Sequence, residues 1–68
     1  MTEAMEDLIT FLKALNVTKE DIVAIALIVK SSEKLTDELN GYLVEKIKAN
    51  RHPTSQEILS KAIQIAKD

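Results

Sequence analysis

The chain has no cysteine and no tryptophan, one glycine, one proline, one histidine, and two aromatic residues, Phe11 and Tyr42. Each scarcity removes a class of structure or chemistry. Without cysteine there are no disulfides, thiolate metal sites or cysteine nucleophiles. A single glycine cannot make a glycine-rich phosphate loop. Two rings do not furnish the stacking platforms on which single-stranded nucleic acids are held. His52 has no second imidazole with which to share a metal or relay a proton, and its place beside Pro53 reads as a solvated loop. The longest purely apolar run, residues 22–29, is eight residues, far short of the ~20 that a membrane-crossing helix needs. The opening M-T-E-A-M-E-D is acidic and lacks the basic-then-apolar order of a signal peptide. The expected setting is therefore the cytoplasm.

What is present is globular composition: 46% apolar and 29% charged residues in a chain of 68, too rich in core-forming side chains for a disordered chain. One domain over residues 1–68 is expected, since a second core would not fit. A domain of this size buries only about 60% of the surface its unfolded chain exposes. Its stability must come from close packing or from self-association. The net charge of −2 is unevenly spread: residues 1–40 carry eight acids against four bases, and residues 41–68 carry three acids against five bases.

With so little glycine and proline, loops must be short, and apolar spacing decides the elements. Met5, Leu8, Ile9, Leu12 and Leu15 recur at three and four as one helical stripe. Thr2 precedes them as an N-cap, and Asn16 can end the helix in a left-handed conformation. Thr18 caps the next helix, with Asp21 in a near-capping-box position and Val17 and Ile22 spaced as a hydrophobic staple. Residues 22–29 are β-branched enough for a strand, but no second strand exists to pair with it. Ser31-Ser32 breaks the chain. Leu35, Leu39, Tyr42, Leu43 and Ile47 then form a third stripe that keeps its phase across Asn40-Gly41. Gly41 is a weak point costing about 1 kcal/mol relative to alanine, which either close approach of a neighbouring helix or a bent or frayed helix would explain. Thr54 and Glu57 match a full capping box, ahead of a stripe of Ile58, Leu59, Ala62, Ile63 and Ala66. The expected fold is all-α, a compact bundle of four short helices at about 3–15, 19–30, 33–49 and 55–66. Its short connections imply antiparallel or sharply angled neighbours.

No constellation for catalysis emerges. The acid pairs Glu6/Asp7, Glu20/Asp21 and Asp37/Glu38 are sequence neighbours, which diverge by about 100° on a helix and share no face. All stand in or near first turns, where the helix dipole favours acids. No catalytic, metal-binding or cofactor-binding residues are assigned, and the chain reads as non-enzymatic. The stretch L-N-V-T-K-E-D-I-V-A-I-A loosely resembles the opening of the first helix in helix-turn-helix domains. Leu27, Ile28 and Val29 then continue an apolar helix where that motif would turn, so no residue roles carry over. Lys46, Lys48, Arg51 and His52 form the candidate basic patch for a nucleic-acid partner, although cations near a helix C-terminus also answer its dipole.

The stronger signal is a surplus of apolar surface. Val23, Leu27 and Ile28 exceed the main face of helix two, and Val44 sits nearly opposite the stripe of helix three. Phe11 and Ile65 lie at stripe edges. Two readings stand: helix two is central and wrapped by the others, or part of this surface meets a partner. The expected function is protein–protein interaction, with self-association as a homodimer through helix two. The alternative is a small nucleic-acid-binding or transcription-accessory protein that uses the basic C-terminal half.

Overall fold

A computed structural model describes residues 2–68. They form four helices and no strand: α1 (Glu3–Ala14), α2 (Lys19–Val29), α3 (Glu33–Lys48) and α4 (Ser55–Lys67). The architecture is the all-α bundle that the periodicity predicts, with each boundary within a residue of its expected position.

The ends are set by side-chain chemistry. Thr2, Thr18 and Thr54 each take extended backbone and accept a hydrogen bond from the amide three residues on, at 3.2, 3.3 and 3.1 Å. At α4 the box is complete, because the Thr54 amide donates to Glu57 Oε1 at 3.1 Å. At α2 the cap is made by Thr18 alone. Asp21 returns no bond, its side chain being one methylene shorter than the glutamate of a full box. Ser32 begins α3 without a side-chain cap bond.

Two helices end in the same way. Asn16 and Asn50 both adopt positive φ, 61° and 59°. The amides of Asn16 and Val17 donate to the Lys13 and Leu12 carbonyls, and those of Asn50 and Arg51 donate to the Ile47 and Lys46 carbonyls. Both are Schellman closures, with asparagine where glycine is commonest. Asn16 was legible from the sequence, whereas Asn50 is a second instance hidden in A-N-R-H. The first closure is reinforced by Val17, which is buried with Leu12 in the core. The second has Arg51 at the corresponding position, and that residue is exposed.

The core is aliphatic: Leu8 and Leu12 of α1, Ile25 and Val29 of α2, Leu39 and Leu43 of α3, Ile58, Ala62 and Ile65 of α4, and Val17 from the first loop. Each large side chain contributes about 1.5–3 kcal/mol through removal from water. α1 lies mainly along α3 and α2 along α4; α3 also packs on α4. Consecutive helices α1–α2 and α2–α3 meet over smaller areas, and among the described residues the backbones of α1 and α4 stay apart.

Three expectations about faces need correction. In α4 the core line is Ile58–Ala62–Ile65, whereas Ile63 is 42% exposed and Ala66 lies on the surface. The helix is rotated toward Ile65, which extends the line by i, i+4, i+7. In α3 the stripe outruns the core, leaving Ile47 41% exposed near the helix end. Gly41 faces outward, and a Cβ built on it would meet nothing within 4 Å. No neighbouring helix requires it.

Polar groups fill positions that apolar periodicity overlooks. Thr36 is buried, and its hydroxyl is placed to donate to the Val29 carbonyl at 3.2 Å and the Ser32 carbonyl at 3.3 Å. It thereby ties the start of α3 to the end of α2. Asn40 Nδ2 donates to the Ala4 carbonyl at 3.0 Å, pinning α3 to the first turn of α1, while its Oδ1 is buried without a partner.

Because Gly41 keeps helical geometry in open space, Gly41→Ala should raise unfolding free energy by about 1 kcal/mol, read from urea denaturation. At the second closure, Asn50→Gly should stabilise and Asn50→Ala destabilise, the left-handed backbone costing an ordinary residue about 1 kcal/mol. Thermal unfolding of the two variants would show opposite shifts in Tm.

Candidate functional site

α2 is apolar almost all round, yet only one side of it can face the core. Ile25 and Val29 are fully buried, and Ile22 and Ile28 lean on the same core half-buried. Val23 and Leu27 stand two residues before and after Ile25, which places each about 160° away around the helix. They are 52% and 56% exposed, the two most exposed large aliphatic side chains among the described residues.

Between these residues and α1 runs a shallow groove of about 280 Å³, lined by Met5, Ile9, Val23, Ala26, Leu27 and Lys30. Its origin lies in the spacing of both helices. Met5 and Ile9 sit four apart on the flank of α1, and Val23 and Leu27 sit four apart on the rim of α2, so each pair forms a ridge along its helix. Ala26 between the ridges has too little side chain to fill the space. Lys30 closes one end with the only charged side chain of the lining. It retains right-handed helical backbone, φ −64° and ψ −20°, and so continues the spiral of α2 by one residue.

Of the four residues singled out for partner binding, Val23 and Leu27 thus share one exposed surface. Ile28 packs toward the core instead, and Val44 is half-buried on α3 outside the groove lining. α2 touches α1, α3 and α4, but its outer face is left bare. Met5 and Ile9, assigned to the core stripe of α1, are half-buried and complete the groove. Only the angle between the helices could reveal that role.

The basic candidates are distributed differently. Lys46, Arg51 and His52 line a depression together with Pro53 and Glu57, so an acid shares the site; Lys48 is exposed outside its lining. Lys46 Nζ lies 5.5 Å from the centroid of the Tyr42 ring, and Lys61 Nζ lies at the same distance. Two ammonium groups on one phenol ring make cation–π contacts that hold them close to the protein. Tyr42 therefore serves both the edge of the core and the organisation of surface charge.

Among the described residues no His, Asp or Glu side chains gather into a group able to hold a metal ion. No helix there is long and apolar enough to cross a membrane. No family model, curated protein or solved structure matches the chain.

The contrast between the two sides of α2 has a measurable consequence. At high dilution, Leu27→Ala should change the free energy of unfolding by no more than about 0.5 kcal/mol, as for surface positions. Ile25→Ala, two residues away, should cost about 2–5 kcal/mol. Comparable costs at both positions would mean that α2 has no free face.

Proposed function

We propose that this chain is a small protein–protein interaction domain that acts as a homodimer, with the groove between α1 and α2 as its contact surface. The observation that carries this reading is the exposure of Val23 and Leu27 beside a groove whose lining is aliphatic apart from Lys30 and the thioether of Met5. Contiguous apolar surface on a small domain usually meets another molecule. A second copy of the same chain is the simplest partner, since twofold assemblies are the commonest. The domain's size also makes association valuable: a core this small is marginal alone, and burying the outer face of α2 adds apolar area that the monomer cannot supply. In this reading the domain works in the cytoplasm, without a cofactor and without a reaction of its own.

Sedimentation at micromolar concentration should show a dimer for the wild type. Leu27→Glu should sediment as a monomer while its circular dichroism stays helical, because position 27 lies outside the core. A wild type that remains monomeric under these conditions overturns the proposal.

A further inference from the structure

Residues 22–28 of α2 read I-V-A-I-A-L-I, almost the same in both directions about Ile25. The symmetry reaches one turn further in charge, with Glu20 five residues before Ile25 and Lys30 five after. On the helix, Val23 and Leu27 lie about 160° from Ile25, and Glu20 and Lys30 about 140° from it on either side. All four are exposed. Ile25 is buried beneath them, and Ala24 and Ala26 flank the face half-buried with minimal side chains. The outer face of α2 is therefore an aliphatic pair between two small residues, with an acid at the N-terminal end and a base at the C-terminal end.

From this geometry we infer that the homodimer is built by antiparallel packing of α2 on the α2 of a second copy, about a twofold axis at the level of Ile25. The inference rests on the self-association proposed above and specifies its orientation and register. In an antiparallel pair centred on Ile25, the residue at each level meets the one equally far from the centre in the other direction. Val23 meets Leu27 of the second copy and Glu20 meets Lys30, each pairing occurring twice. Aliphatic surface falls on aliphatic surface, and opposite charges flank the apolar centre. Parallel packing would set Glu20 against Glu20 and Lys30 against Lys30, like charges at both ends. The charges thus discriminate between orientations, which is the main service of rim charges at interfaces. The groove beside Val23 and Leu27 gives the opposing Leu27 an apolar recess to enter.

The test reverses the end charges singly and together and follows dimer dissociation by sedimentation at low ionic strength. Glu20→Lys and Lys30→Glu should each weaken the dimer about tenfold, because either change converts two attractions into two repulsions of modest size. The double variant Glu20→Lys/Lys30→Glu restores opposite charges at both ends and should return the dissociation constant to near the wild-type value. If the single reversals have no effect, or the double variant is as weak as the singles, the antiparallel register is overturned while self-association stands. A monomeric wild type instead removes the proposal on which the register depends.

Discussion

Each helix lends two or three aliphatic side chains to a shared centre, and none of the four would hold its shape without the others. Helices of eleven to sixteen residues are at best marginal in isolation, because the first turn is costly to nucleate and few turns follow. No aromatic ring is fully buried. Phe11 and Tyr42 stand at the margin of the core, so branched aliphatic chains must fill the interior by interlocking. Such a core is narrow, and its width limits how many faces of any helix it can cover. Everything exposed on α2 follows from that limit.

α2 makes the limit visible because its composition exceeds it. A helix so apolar would suit the centre of a larger protein, where neighbours surround it. Here α1, α3 and α4 approach it from one side only, and Thr36 draws the start of α3 against its C-terminal end. The outer ridge of Val23 and Leu27 then has no intramolecular partner. The same constraint explains the shape of the neighbouring groove. α1 and α2 meet over a small area, and Ala26 between their ridges is too small to close the gap.

Much of the fold was legible because its signals are local. A threonine three residues before an orphan amide, an asparagine able to turn left-handed, and apolar residues at three and four act within one or two turns. Helix count and boundaries followed from these. Rotational details did not, because the choice between Ile63 and Ile65 as a core residue depends on where α2 and α3 lie. The roles of Thr36 and Asn40 were illegible for a similar reason. Thr36 reaches the carbonyl of Val29 and Asn40 that of Ala4, both in other helices, and a polar residue amid an apolar stripe gives no sign of such partners. For the candidate surface, Val23 and Leu27 stood out by excess, while Met5 and Ile9 were concealed by a stripe that looked fully committed to the core.

Asn40 and Gly41 form the dipeptide in which an asparagine side chain most readily closes on the next amide nitrogen, the first step of deamidation. Within α3 that closure is hindered twice. The helix holds the Gly41 backbone in a geometry unsuited to attack on the side-chain carbonyl, and Nδ2 of Asn40 is bound to the carbonyl of Ala4. Chemical ageing at this pair is therefore coupled to opening of the middle of α3 and its release from α1.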